Sequence, residues 1–134
     1  GEFCALGESF KFFADQTGNE KARVLGDAVD TATQGILDHD RSPSRKVGEP
    51  DNRDSHYWFA RYWAEALAAQ DADADLAAHF VPVAKALADG EAAIVSELAA
   101  AQGSAADLGG YYHGDAEKTA AVMRPSATLN AVFG

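Results

Sequence analysis

The sequence is poor in cysteine, in basic residues and in long apolar runs, and each shortage excludes a class of protein. Its single cysteine, Cys4, cannot form an intramolecular disulfide framework. A lone thiol is typical of a reducing compartment, so we expect a cytoplasmic protein in which Cys4 is a small core residue. No apolar stretch approaches the roughly 18 residues of a membrane-spanning helix, and no signal-peptide pattern opens the chain, so we expect no membrane association.

Acidic residues outnumber basic ones by 21 to 11, which gives a formal net charge of -10 at pH 7. The sequence pI is about 4.6. A chain with this charge repels polyanions, and the composition therefore argues against binding of nucleic acid or of anionic membranes. Any anionic ligand must be held by a local group of basic side chains.

The apolar residues recur at helical spacing over most of the 134 residues. Steps of three and four residues predict long helices over about 2–16 and about 20–38, and further helices beyond them. No segment alternates apolar and polar residues with β-branched enrichment, so no strand is predicted. We expect a mainly α fold of about five to seven helices in a compact, bundle-like arrangement. Its predicted core comprises Phe10, Leu25, Trp58, Trp63, Leu67 and Leu98.

Turn and capping residues divide the first half of the helical pattern. Gly18 suits a left-handed helix end, and Thr17 with Glu20 matches a capping box for the second helix. Asp54 or Ser55 is predicted to cap the third helix, which ends at the stretch "DADADL".

The second half is divided in the same way. "DADADL" is predicted to cap the next helix, with Pro82 in its first turn or at a bend. The stretch "SAADLGGYYHG", residues 104–114, predicts a loop. Two short helices over about 115–123 and 126–132 follow, and Pro125 separates them.

Combinations that would suggest catalysis or metal binding fail on their spacing. "DADADL" opens like a calcium loop but lacks the glycine and glutamate that its sixth and twelfth positions need, and the segment 38–49 has Pro43 where that glycine belongs. The four histidines show no zinc-type spacing and have no cysteine partners. "DSH" at 54–56 is no catalytic triad, because consecutive side chains point apart. We therefore assign no catalytic residue and no metal ligand to this chain.

A single loop, "RSPSRKVGEPDNRDSH" at residues 41–56, contains four of the eleven basic residues. They are Arg41, Arg45, Lys46 and Arg53. One interpretation is a solvated connection in which these cations are neutralised by Asp40, Glu49, Asp51 and Asp54. The other is a local anion site, because a guanidinium donates two parallel hydrogen bonds to a phosphate and keeps its charge. Ser42 and Ser44 would add hydroxyl donors to such a site. The residue pattern alone permits both.

Several stretches resemble one enzyme family. "SPSRKVGE", "DNR" with "SHYW", "LGGYY" and "MRPSATLN" are similar to the carboxy-terminal part of the monomeric class of NADP-dependent isocitrate dehydrogenase, and the likeness covers all 134 residues. The alanine-rich helices between these stretches add little to it. The chain departs from the family pattern at Pro50, where an apolar residue is expected, and at Asp54, where a glycine is expected.

The resemblance implies that residues 1–134 are a carboxy-terminal segment of a longer, monomeric, single-chain enzyme, and the helical part of an α/β domain that contributes to NADP binding. That enzyme would oxidise isocitrate to 2-oxoglutarate and carbon dioxide with NADP and a magnesium or manganese ion, in the tricarboxylic acid cycle at its branch to the glyoxylate bypass. The family's arginine in "SPSRKVGE" contacts the 2'-phosphate of the cofactor, and Arg45 aligns with it. The isocitrate-binding residues, metal-binding aspartates, and catalytic lysine and tyrosine would all lie upstream of Gly1.

Two hypotheses of different class follow. The chain is either a piece of an NADP-dependent oxidoreductase or a free-standing helical interaction module whose loop binds a phosphorylated small molecule or partner. The reading frame upstream of Gly1 discriminates between them. On the first hypothesis we expect the 134-residue chain alone to be inactive, and we expect its uncovered apolar faces to favour self-association.

Overall fold

The computed structural model describes all residues from 1 to 134 and contains seven α-helices and no strand. The helices are α1 (Glu2–Thr17), α2 (Glu20–Asp38), α3 (Asn52–Ala69), α4 (Ala74–Asp89), α5 (Glu91–Ala100), α6 (Ala116–Met123) and α7 (Ala127–Val132). The predicted mainly α fold is therefore confirmed. None of the seven helices is long and apolar enough to cross a membrane.

The first two helices form a hairpin around Gly18. This glycine has φ 70° and donates its N–H to the carbonyl oxygen of Ala14 at 2.8 Å, as predicted for a left-handed helix end. The predicted capping box of Thr17 with Glu20 is wrong, because Thr17 is still helical and its hydroxyl donates back to the Phe13 carbonyl. The side chain of Asn19 caps α2 instead, since its oxygen accepts from the backbone N–H of Ala22 at 3.1 Å.

Two buried glycines, Gly7 in α1 and Gly26 in α2, allow these helices to approach closely. A Cβ on Gly7 would lie 2.8 Å from a carboxylate oxygen of Asp30, and a Cβ on Gly26 would lie 3.1 Å from the carbonyl oxygen of Gly7. A side chain at Gly26 would therefore press on the backbone of α1, whereas one at Gly7 would first displace the Asp30 carboxylate.

Helix α3 lies at the centre of the packing. The Tyr57 hydroxyl donates to the Leu87 carbonyl of α4 at 2.8 Å, and the Trp63 indole N–H donates to the Leu25 carbonyl of α2 at 3.1 Å. Both bonds bring the polar end of a large aromatic side chain to a partner inside the fold. On the α1 side, the ring of Phe59 stacks on that of Phe3 with the ring centres 4.1 Å apart.

The predicted core is confirmed in its centre. Trp58, Leu67 and Leu98 are buried. Phe10 and Trp63 are partly buried and pack against that core. Leu25 is only partly buried. The prediction for Cys4 is wrong, because its side chain is exposed on α1.

The third helix begins earlier than predicted. Its N-cap is Asp51, whose carboxylate accepts from the backbone N–H groups of Arg53 and Asp54 at 2.8 and 3.2 Å. The Asp54 carboxylate in turn accepts from the Asp51 N–H at 3.2 Å, which completes a capping box. The prediction of Asp54 or Ser55 as the cap is therefore wrong by three to four residues, because this reciprocal pair captures the N-terminus first.

The remaining boundaries follow the sequence closely, with one exception. Asp73 caps α4 as predicted, and Asp115 and Ser126 cap the two short helices. Pro82 lies inside α4 instead of in its first turn. Its missing N–H frees the carbonyl of Ala78, and the exposed position of Pro82 lets the helix tolerate this loss.

Candidate functional site

Three of the four clustered cations lie in the connection between α2 and α3, residues 39–51, and the fourth, Arg53, lies in the first turn of α3. Three of the four contact other groups of the protein. The guanidinium carbon of Arg41 lies 3.8 Å from the ring centre of Trp58, a cation–π contact. Arg53 donates to one carboxylate oxygen of Asp51 at 2.9 and 2.6 Å and to the Val122 carbonyl of α6 at 2.8 Å. Lys46 forms a longer ion pair with Glu49, at 3.5 Å. These three side chains therefore have structural partners.

The fourth cation, Arg45, is exposed and has no ion pair, hydrogen bond or aromatic partner for its side chain. Most of the chain's other cations are paired. Eight of the eleven basic side chains lie within 4 Å of a carboxylate: Lys11, Lys21, Arg23, Lys46, Arg53, Arg61, Lys85 and Lys118. With Arg41 on Trp58, only Arg45 and Arg124 are left without a partner. An unpaired arginine in so acidic a chain is available for an anion from outside the segment.

Two acidic residues at the end of the loop, Asp51 and Asp54, are engaged elsewhere. Burial opposes ionisation of Asp51, but the hydrogen bonds from Arg53 and from two backbone N–H groups outweigh it and hold the pKa of Asp51 below its ordinary value. Burial raises the pKa of Asp54 above its ordinary value, and its carboxylate is directed to the Asp51 N–H. Neither carboxylate is paired with Arg45.

Arg45 lines an open groove of about 630 Å³. The groove is lined by residues 44–47 of the loop and 51–53 at the start of α3. Residues 101–107, which follow α5, and 121–123 at the end of α6 complete the lining. The groove is therefore built from three parts of the chain that are distant in sequence.

The loop is fixed to the end of α5 by Gln102. The side-chain oxygen of Gln102 accepts from the Gly48 N–H at 2.8 Å, and its side-chain nitrogen donates to the Glu49 carbonyl at 2.9 Å. The next residue, Gly103, has φ 77°, and a Cβ there would lie 3.3 Å from the Val47 side chain. Sequence reasoning missed Gln102, because its partners lie 53 and 54 positions away and no local pattern marks them.

The two serines of "SPSR" differ in their contacts. The Ser44 hydroxyl donates to Glu49 at 2.5 Å and accepts from the Lys46 N–H at 3.1 Å, so it stabilises the turn and is not a free donor. Ser42 is exposed. The expectation that both hydroxyls are available for a phosphate is therefore wrong for Ser44.

Comparisons with known proteins show which family the chain belongs to. The family described as monomeric isocitrate dehydrogenase matches residues 1–134. The chain belongs to this family. It is 55% identical to isocitrate dehydrogenase (NADP) of Corynebacterium glutamicum over 132 residues, which are 98% of the chain. It is 53% identical to isocitrate dehydrogenase (NADP) of Azotobacter vinelandii over 133 residues, which are 99% of the chain. Isocitrate dehydrogenase (NADP) 2 of Mycobacterium tuberculosis is 52% identical over 133 residues, 99% of the chain. The chain spans 18% of the length of each of these relatives.

This monomeric isocitrate dehydrogenase segment contains no group of three or more His, Cys, Asp or Glu side chains that could hold a metal ion. These residues therefore do not form a magnesium or manganese site by themselves. His56 lies 3.5 Å from the carboxylate of Glu2, and its ring nitrogen contacts the Asn52 carbonyl, so its ring has partners within the fold.

The stretch "MRPSATLN" has a structural role in the segment. Glu97 of α5 accepts hydrogen bonds from the Ser126 hydroxyl at 2.5 Å, the Thr128 hydroxyl at 2.8 Å and the Thr128 N–H at 3.2 Å. The Ser126 oxygen also accepts from the Leu129 N–H at 3.0 Å and so caps α7. These hydrogen bonds lower the pKa of Glu97, and the bond from Ser126 has the largest effect. The motif therefore anchors α7 to α5.

Replacing Ser126 by alanine should destabilise the protein by about 1 to 2 kcal/mol, because Ser126 is fully buried and the change removes a helix cap. The control is Ser96→Ala, which alters an exposed hydroxyl on the same helix as Glu97 and should change stability little. Urea denaturation of both variants at neutral pH measures the difference, and equal midpoints for them would contradict the anchoring role.

The same variant should respond to pH in a defined direction. The pKa of Glu97 is lowered from its ordinary value of 4.5, so its contribution is complete above that value and is lost as pH falls through the lower pKa of the folded state. The stability difference between wild type and Ser126→Ala should therefore narrow when denaturation is repeated at increasingly acidic pH. A difference that widens on acidification would contradict this assignment.

Proposed function

We propose that this segment works within a longer NADP-dependent isocitrate dehydrogenase and that Arg45 contacts the 2'-phosphate of NADP there. The observation that carries the proposal is the unpaired guanidinium of Arg45 on the groove, in a chain of this family whose other loop cations are engaged. An arginine near the adenosine ribose is how a dinucleotide site accepts a 2'-phosphate.

The charge and shape of Arg45 suit this role. Its planar guanidinium can donate two parallel hydrogen bonds to one phosphate, which the compact ammonium of a lysine cannot do. The acidic surface elsewhere does not prevent such binding, because charges are screened over about 8 Å at physiological salt. NAD has a hydroxyl where NADP has this phosphate, so the contact selects between the cofactors. Residues 1–134 would thus supply one wall of the cofactor site within its domain.

The reaction would be the oxidation of isocitrate to 2-oxoglutarate and carbon dioxide. The groups that bind the metal ion and isocitrate and transfer protons would belong to other parts of the enzyme. The metal ion, magnesium or manganese, would take its ligands outside these 134 residues, since none of their side chains cluster as ligands. Isocitrate and the proton-transferring residues would also be held elsewhere. What this segment contributes is binding and cofactor choice. We propose a cytoplasmic location, which the single exposed thiol supports.

The proposal is tested by steady-state kinetics of the full-length protein. With isocitrate and a magnesium salt it should reduce NADP, and kcat/KM for NADP should be well above that for NAD. A protein with no isocitrate-dependent reduction of either cofactor would overturn the proposal and would favour a free-standing module with a phosphate-binding loop.

We also propose that the isolated segment self-associates although the longer enzyme is monomeric. Large apolar side chains are left at the surface on α1 and after α5, among them Phe12 at 66% exposure and Tyr111 at 92%. Such surface normally packs against protein. Light scattering of the isolated chain at rising concentration should show a growing mean mass, and a concentration-independent monomer would contradict this.

A further inference from the structure

A residue far from the loop in sequence holds the loop in its position. The side-chain amide of Gln102 forms two hydrogen bonds to consecutive residues of the connection, one to the Gly48 N–H and one to the Glu49 carbonyl. Because an N–H needs an acceptor and a carbonyl needs a donor, these two bonds fix which end of the amide is oxygen. Gln102 thus holds the backbone three to four residues after Arg45 with a complementary pair of bonds.

Few other contacts hold the middle of the loop. The Glu49 N–H donates to the Lys46 carbonyl at 3.2 Å, and the Ser44 N–H donates to the Pro50 carbonyl at 2.7 Å, so these bonds close the turn on itself. Gln102 follows α5 directly and connects that turn to the end of this helix, and it lines the same groove as Arg45. Without it, the turn would remain closed but could shift relative to the groove that Arg45 lines.

We infer that Gln102 is a positioning residue that holds Arg45 in register with the cofactor's 2'-phosphate, and this inference rests on the function proposed above. Gln102 itself touches no phosphate in this scheme. It acts by holding the backbone of residues 48 and 49 against the end of α5, so that the backbone that carries Arg45 does not have to be ordered when the cofactor binds. The cofactor preference of the enzyme therefore depends on an uncharged residue 57 positions after Arg45.

The test uses Gln102→Met in the full-length protein, because methionine keeps the length of the side chain and loses both hydrogen bonds. KM for NADP should rise about threefold to tenfold, while KM for NAD and kcat at saturating NADP should hardly change. A residue with only a structural role would lower the amount of folded enzyme and leave both KM values unchanged.

A matched control exists within the chain. Gln70 also braces a connection through both ends of its amide, since its nitrogen donates to the Asp73 carbonyl at 2.7 Å and its oxygen accepts from the Asp73 N–H at 2.8 Å. It serves the connection between α3 and α4 and does not line the groove. Gln70→Met should lose comparable bonding without raising KM for NADP. An equal rise in both variants would overturn the inference.

A double-mutant cycle with Arg45→Gln separates this inference from the proposed function. If Gln102 acts through Arg45, adding Gln102→Met to Arg45→Gln should raise KM for NADP no further. Unchanged KM in Arg45→Gln alone would refute the phosphate contact itself. A raised KM in Arg45→Gln with an unchanged KM in Gln102→Met would refute only the positioning role.

Hydrogen exchange in the wild-type protein tests the contact between Gln102 and Gly48 without any variant. In the wild-type protein the Gly48 N–H should be protected, because its acceptor is the Gln102 side chain. Exchange of this N–H at the rate of an unprotected amide would overturn the inference whatever the kinetics of the variants.

Discussion

Arg45→Gln in the full-length enzyme should raise KM for NADP by about tenfold to a hundredfold, the loss expected for one charge-assisted contact to a phosphate. KM for NAD should change little, since NAD lacks that phosphate. Turnover at saturating NADP should be nearly unaffected, because the contact exists equally in the ground state and the transition state. Steady-state kinetics with both cofactors at low salt measures the effect, and added salt should reduce the wild-type advantage.

Arg124→Gln is the matched control for this variant. Arg124 is the other arginine without a protein partner, and it lies outside the groove that Arg45 lines. Both variants remove one positive charge from the same segment, so any effect of net charge alone would appear in both. Equal KM values for NADP in wild type and Arg45→Gln would contradict the contact between Arg45 and the 2'-phosphate. The loop would then serve only to connect two helices.

The isolated 134-residue chain should show no isocitrate dehydrogenase activity. Oxidation of a 2-hydroxy acid by hydride transfer needs a group that stabilises the charge on its oxygen and a positioned proton acceptor. The segment has no group of three or more metal-ligating side chains, and Arg45 serves the cofactor in our proposal. Incubation of the purified chain with isocitrate, NADP and a magnesium salt should therefore yield no NADPH above the blank.

The full-length protein at the same molar concentration is the positive control for that assay. Sustained NADPH production by the chain alone would contradict the assignment of the chemical groups to other parts of the enzyme. Activity that appears only when the missing part is added as a separate chain would agree with it, because the segment would then be completing the cofactor site.

Local sequence determined most of the helices. The termini of α1, α6 and α7 and the start of α4 were predictable, because capping residues and glycine act within three or four positions of the helix end. The failures were also local. Asp51 and Asp54 formed a reciprocal capping box in place of the predicted cap at Asp54 or Ser55, and Asn19 capped α2 in place of Thr17. Competing caps of similar strength cannot be ranked from the sequence.

The sequence by itself determined the helical class, the acidic surface, the absence of a disulfide framework and, through the family motif, the choice of Arg45 among four cations. Only the tertiary structure decided which cations are engaged. Arg53 finds the Val122 carbonyl 69 positions away, Gln102 finds Gly48 54 positions away, and Arg41 finds the face of Trp58. The physical reason is that helix formation depends on neighbours within a turn, whereas a hydrogen bond between distant segments exists only after packing has brought its donor and acceptor together.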